Sequence, residues 1–222
     1  MAQVSENLAW IEERIMSACR KSGRGRELVR VVAVTKTQSK ERVLEAAQAG
    51  LKLFAESRVQ EAKTKLPELA SLGEWHLIGH LQTNKAKPAV ELFSCIQSVD
   101  SMHLAEELGK AAAKLGRRLD IFAEVNVSGE AQKHGLPQVG AYDAVQRMAG
   151  IEGLALRGLM CMAPASDDPE AARPIFAGLA ALAQRLQAAH GPLQLSMGMS
   201  SDFEVAVEEG ATLLRLGSAL FR

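Results

Sequence analysis

The chain has 222 residues, of which 47% are hydrophobic, 23% charged and 4% aromatic, a globular composition able to bury roughly 70% of its unfolded surface around one core. Lys plus Arg and Asp plus Glu each number 26, so the formal net charge is zero, and neither nucleic acid nor an anionic membrane is expected as the main partner. Three scattered cysteines, Cys19, Cys95 and Cys161, argue against a disulfide framework or zinc site; with no secretory leader or long apolar run, the expectation is a monomer in a reducing cytoplasm.

In chain order, an amphipathic helix with Leu8, Ile11 and Ile15 on one face leads into a basic link, Lys21 to Arg26, read as a solvated connection. Eight β-branched or apolar runs follow, at Val29 to Thr35, Leu51 to Ala55, Trp75 to Ile78, Cys95 to Val99, Leu119 to Val127, Leu154 to Met160, Leu193 to Met197 and Thr212 to Leu220. Seven helical segments separate them. Glu41 to Ala49, Met102 to Leu115 and Ala171 to His190 each stop at a glycine, Asp168-Pro169 reads as a helix start, and Ser201 with Glu204 reads as a capping box.

Eight strands alternating with helices predict a single (β/α)8 barrel, an α/β fold, with residues 1–27 as an added helix and link and residues 28–222 as the barrel. The last strand is followed by no crossover helix, so the opening helix is expected to cover that gap. An open doubly wound sheet is the structural alternative, but Gly23-Arg24-Gly25 precedes the first strand and completes no dinucleotide fingerprint.

Barrel chemistry belongs at strand carboxyl ends. In Val32-Ala33-Val34-Thr35-Lys36, two-residue alternation places Val32, Val34 and Lys36 on one face, which carries Lys36 into the barrel mouth when that face is inward. An amine there is suited to attack a carbonyl; equally, it can be a strand-end lysine reaching solvent. Ser200 and Ser201 after the seventh run, with Gly217 and Ser218 in the eighth, suit a phosphate-binding pair of loops or simple helix caps. A lysine on one side and an anion cradle on the other fit a phosphorylated ring aldehyde, pyridoxal 5′-phosphate, with Arg215 in reach of its ring nitrogen or paired to a carboxylate.

These segments carry a resemblance. Val32-Ala33-Val34-Thr35-Lys36, Phe54-Ala55-Glu56-Ser57, Trp75-His76-Leu77-Ile78-Gly79 with Asn84-Lys85, Gly158-Leu159-Met160, Ser196 through Asp202 and Arg215 through Phe221 resemble, in order, the signatures of the pyridoxal phosphate homeostasis protein (YggS-like) family. The resemblance implies a barrel like the amino-terminal domain of fold-type III alanine racemases, and Lys36 as the lysine that holds the cofactor covalently, as an aldimine. It implies Ser200, Gly217 and Ser218 at the phosphate, Arg215 at the ring nitrogen, and Asn84 and Met160 near the cofactor; Ser201 joins this set from the loop reading. Its members are carriers of vitamin B6 with no defined turnover, so the implied function is cofactor homeostasis with delivery to pyridoxal phosphate-dependent apoenzymes. Ala55-Glu56-Ser57 departs from the family's Gly-Glu-Asn.

A racemase or decarboxylase of the same cofactor class is the enzymatic alternative, but the sole tyrosine, Tyr142, falls on an expected surface helix. A metal site is not expected: His76 and His80, four apart on a strand, are separated by about 13 Å, too far for ligands about 2.1 Å from one ion. His103 with Glu106 reads as a solvated helix face, and Cys161 as lining, not nucleophile.

Overall fold

The computed structural model describes residues 2–130 and 132–222. Its strands are β1 (Arg30–Val34), β2 (Leu53–Glu56), β3 (Glu74–Leu77), β4 (Cys95–Val99), β5 (Leu119–Asn126), β6 (Leu136–Pro137), β7 (Leu154–Met160), β8 (Gln194–Ser196) and β9 (Leu213–Leu216). All ladders are parallel: β1 pairs with both β2 and β9, the series continues through β3 and β4 to β5, and β5–β7, β7–β8 and β8–β9 close the ring. The eight-stranded barrel read from the sequence is therefore closed, and β6 is a two-residue addition outside the ring on β5.

Seven helices fill the crossovers: α2 (Lys40–Gln48), α3 (Val59–Leu69), α4 (Ala86–Leu92), α5 (Met102–Lys114), α6 (Ala141–Ala149), α7 (Arg173–His190) and α8 (Phe203–Glu208). Side-chain oxygens of Ser39 and Ser101 accept from Arg42 and Leu104 N–H to start α2 and α5. The opening helix α1 (Ala2–Ser22) lies against α2, α8 and the short α9 (Ser218–Phe221), occupying the place of an eighth crossover helix. Ile11 and Ile15, both fully buried, are its apolar stripe.

Three local expectations are corrected. The eighth run ends as a strand at Leu216, because Gly217 starts α9 and the Ala219 N–H is taken by Ser200 Oγ at 3.0 Å. Asp202, not Ser201, stands at the start of α8, accepting from Met199 N–H at 2.6 Å, while Glu204 binds Arg14 bidentately at 2.6 and 2.7 Å. The basic link is not merely solvated: Arg24 donates to the Val207, Gly210 and Ala211 carbonyls, and Arg26 pairs with Glu12.

Between barrel and helices lies the large apolar core, whereas the barrel interior holds a small cluster of Val32, Leu53, Ala55, Cys95, Phe122, Met160 and Leu213. Two ionic features interrupt this packing. Lys65 of α3 is buried, and its ammonium donates to Thr35 O (2.8 Å), Glu56 Oε1 (2.9 Å) and Glu61 Oε1 (2.7 Å). Thr35 Oγ1 adds a 2.7 Å bond to Glu56 Oε1, while Glu56 Oε2 has no hydrogen-bond partner among the described residues. Burial pushes the Glu56 carboxyl up, opposed by the bonds from Thr35 and Lys65. On β5, Glu124 is 3% exposed inside the barrel, and burial, helped by the negative Asp100, pushes its carboxyl up to about 7.

Removing the ammonium strands a buried carboxylate, so Lys65→Met is expected to lower unfolding stability by about 3–5 kcal/mol, and adding Glu56→Gln to recover part of the loss, as read by urea denaturation. For Glu124 the folded chain holds a proton that the unfolded chain, with its ordinary value of 4.5, has already released. Its contribution therefore declines as pH rises from 4.5 through about 7. Glu124→Gln should match wild type near pH 4 and exceed it by about 3 kcal/mol at pH 8; parallel pH curves would contradict this assignment.

Candidate functional site

The carboxyl ends of the strands surround a cavity of about 590 Å³. Alternation along β1 delivers what the sequence implied: Val32 is inside the barrel, Val34 lines the cavity, and Lys36 stands exposed on its wall with no ion-pair partner among the described residues. The turn that carries Lys36 is fixed on both sides. Lys65 holds Thr35 O, and Thr37, a β-branched residue at φ 63°, donates its N–H to Glu61 Oε1 at 2.8 Å. A left-handed threonine is a strained conformation that these buried and half-buried partners stabilise.

Opposite Lys36 are the loops after β8 and β9. Ser200, Ser201, Gly217 and Ser218 all line the cavity, and their four N–H groups donate to no backbone carbonyl among the described residues. Ser200 Oγ accepts from Ala219, which leaves its own proton free to donate. Backbone N–H groups left unpaired beside a cavity are the kind of donors that can bind an oxyanion. Gly198 (φ 92°) makes the approach possible, since a Cβ there would lie 2.5 Å from Ala206 Cβ.

Arg215, 4% exposed, reaches the cavity from β9. Its guanidinium donates to Ser196 Oγ at 2.7 Å and to the Cys161 carbonyl at 2.8 Å, and no carboxylate pairs with it among the described residues. The carboxylate pairing considered for it is thus not what the fold provides. Burial pushes Arg215 downward, offset by the charges of Glu124 and Asp202. Cys161 is fully buried and burial pushes its thiol up to about 12, which leaves it inert as a nucleophile.

Two candidates lie off the cavity wall. Asn84 sits in the 3-10 turn Thr83–Lys85, in an adjoining depression with Gln82 and Asp100. Met160 is fully buried in the interior cluster beneath the cavity, and Met162, two residues on, lines it instead. Ser57, Ile78, His80, Glu124 and His134 also line the cavity and were not among the site residues expected from the sequence. Glu124 was accessible to the alternation argument, since Phe122 and Glu124 share the inward face of β5. Ser57 comes close because Gly79 faces it; a Cβ on Gly79 would lie 2.1 Å from Ser57 O.

At the mouth, His80 Nδ1 lies 2.8 Å from Asp100 Oδ2 and His134 Nδ1 3.8 Å from the same oxygen, the two rings stacked 3.9 Å apart with 10° between planes. A ligated ion lies about 2.1 Å from each nitrogen in the plane of its ring, and rings stacked face to face direct their lone pairs side by side instead of at one point. The cluster as arranged is one carboxylate shared by two imidazoles.

The alanine racemase N-terminal domain family matches residues 7–222. A pyridoxal phosphate homeostasis protein of Aquifex aeolicus is 40% identical over 219 residues, covering 97% of this chain and 96% of that protein, and one of Pseudomonas aeruginosa is 39% identical over 222 residues, covering 100% and 96%. Among solved structures, PipY of Synechococcus elongatus with PLP bound superposes with a TM-score of 0.85 at 36% identity, covering 99% of this chain and 100% of PipY. Alanine racemase of Clostridium difficile, at 14% identity and a TM-score of 0.75 over 56% of that chain, shares the barrel. The chain belongs to the pyridoxal phosphate homeostasis protein family, built on the alanine racemase N-terminal domain fold.

Proposed function

We propose that this protein binds pyridoxal 5′-phosphate in the barrel-mouth cavity, holds it reversibly on Lys36, and maintains the vitamin B6 supply by yielding it to apoenzymes in the cytoplasm, with no turnover of its own. The observation that carries the reading is that one cavity of about 590 Å³ is lined by a lysine and four backbone N–H groups without partners among the described residues, together with a buried guanidinium. When bound, the cofactor supplies an aldehyde that condenses with a primary amine, releasing water, and a ring able to withdraw electrons.

The residues divide the work. Lys36 offers an exposed amine free of a carboxylate, on a turn held by Lys65 and Glu61. Ser200, Ser201, Gly217 and Ser218 bind and orient the phosphate end. Arg215 can only donate, so a ring nitrogen facing it stays unprotonated and the ring remains a weak electron sink. That favours storage over carbanion chemistry. Tyr142 stands on α6 under Arg185, 5.0 Å from its ring, and is not part of the cavity lining. The free thiols of Cys19, Cys95 and Cys161 support a reducing compartment.

One observation favours the enzymatic alternative, a racemase or decarboxylase: Glu124, its carboxyl near 7, lines the same cavity and could accept a proton. Solvent deuterium exchange at amino-acid α-carbons separates the readings, with none expected above the free cofactor's rate.

Purified protein mixed with pyridoxal 5′-phosphate should turn yellow and, after borohydride reduction, yield one modified peptide containing Lys36; Lys36→Ala should abolish the modification. A colourless protein that takes up no cofactor would overturn the reading. Ser200→Ala should weaken pyridoxal 5′-phosphate by about tenfold and leave unphosphorylated pyridoxal unaffected, as measured by equilibrium titration.

A further inference from the structure

Beneath the cavity, buried polar groups run from strand to strand through the barrel. Arg215 Nη1 donates to Ser196 Oγ at 2.7 Å, Ser196 Oγ donates to Gln97 Oε1 at 2.6 Å, and Gln97 Nε2 lies 2.7 Å from His76 Nδ1. Ser196 and Gln97 are fully buried, and Arg215 and His76 are 4% and 6% exposed. His76 Nε2 lies 3.8 Å from Glu74 Oε2, in a second pocket at the amino end of the barrel that Arg30, Asp120 and Arg157 also line. The chain therefore joins the two ends of the barrel across β9, β8, β4 and β3.

Donor chemistry gives it one direction. A guanidinium has no acceptor, so Ser196 Oγ receives from Arg215 and has a single proton, which goes to the Gln97 carbonyl. The Gln97 amide group can then only donate to His76, so Nδ1 carries the lone pair and the ring proton sits on Nε2, toward Glu74. With the proton on Nδ1, the Gln97 amide would have to turn over and present NH2 to Ser196. The hydroxyl would then face donors on both sides, its own proton without an acceptor in the chain. A buried hydrogen bond left unmade in this way costs more than one made contributes.

We propose that Gln97 and His76 are positioning residues for Arg215: the Nε2–H tautomer of His76, at the far end of the barrel, fixes through Gln97 and Ser196 the orientation in which the guanidinium faces the cavity. Among the described residues no carboxylate pairs with Arg215, so Ser196 and the Cys161 carbonyl are its anchors, and the Ser196 hydroxyl is set from behind. The consequence for a bound ring rests on the reading of the cavity as a pyridoxal phosphate site, in which Arg215 tunes the ring nitrogen.

Nitrogen NMR of the ligand-free protein tests the chain directly: His76 is expected as the Nε2–H tautomer, and an Nδ1–H tautomer overturns the proposal. Gln97→Leu and Ser196→Ala interrupt the chain and should each weaken pyridoxal 5′-phosphate about tenfold and shift its visible absorption band, with thermal melts run alongside. Gln97→Glu is the conservative control. Its carboxylate still accepts from Ser196 but has no proton for Nδ1, so binding should stay within about threefold of wild type while His76 turns to the Nδ1–H tautomer. Where an interrupting variant unfolds, the tautomers of wild type and Gln97→Glu decide. If wild type binds the cofactor and both interrupting variants keep its affinity and band, the proposal fails and the site reading stands. If wild type takes up no cofactor, the site reading fails, and the chain stands or falls on the tautomer and its reversal in Gln97→Glu.

Discussion

A ring of parallel strands, each hydrogen-bonded on both sides, leaves no edge and aligns every carboxyl end on the same side. From that constraint the rest follows. Lys36 beyond β1, Glu124 on β5, Ser200 beyond β8 and Arg215 on β9 are remote in sequence, yet parallel closure brings all four to one cavity. The opening helix belongs to the same constraint. Without an eighth crossover helix, the outer faces of β1 and β9 would lack cover, and Ile11 and Ile15 of α1 supply it.

Two buried cations are treated in opposite ways. The Lys65 ammonium is surrounded by oxygen, two carboxylates and a carbonyl, and it acts as the internal fastener of the turn that presents Lys36. Arg215 has, among the described residues, only a hydroxyl and a carbonyl as partners, and burial pushes it downward. A guanidinium whose donors are not consumed by carboxylates keeps hydrogen-bonding capacity for a ligand. The first cation stabilises architecture, and the second is held available.

The barrel and much of the cavity were legible because both depend on short-range pattern. Two-residue alternation carried Lys36 and would have carried Glu124; glycines at 50, 116 and 191 marked helix ends, each with positive φ in the structure. What the sequence does not display is long-range pairing. Lys65, in Ala62-Lys63-Thr64-Lys65, reads like any solvent-facing helix lysine until Glu56 and Thr35 are brought against it. His76 and Gln97 read as isolated polar residues in strands, and their linkage through Ser196 exists only once the barrel closes. The helical end at Ser218–Phe221 was hidden for a related reason. Its apolar residues satisfy a strand pattern, and the Ser200 contact that favours a helical turn comes from another loop. Asn84 was carried over from a resemblance that fixes sequence neighbours but not which depression a turn residue lines.

The opening helix is stitched to the last residues of the chain: Asn7 Nδ2 donates to the carbonyls of Leu220 and Arg222, Arg14 binds Glu204, and Arg24 reaches Val207, Gly210 and Ala211. β1 likewise finds its second neighbour only in β9. The first helix and strand precede their partners in chain order, so a barrel that has not yet acquired β9 is an open sheet with β1 as an unpaired parallel edge. Ring closure between β1 and β9, like the contacts of Asn7, joins segments remote in sequence, and the entropy of closing so long a loop slows its formation. An unpaired strand edge is a template for pairing with another chain, so closure of the ring also removes an aggregation hazard.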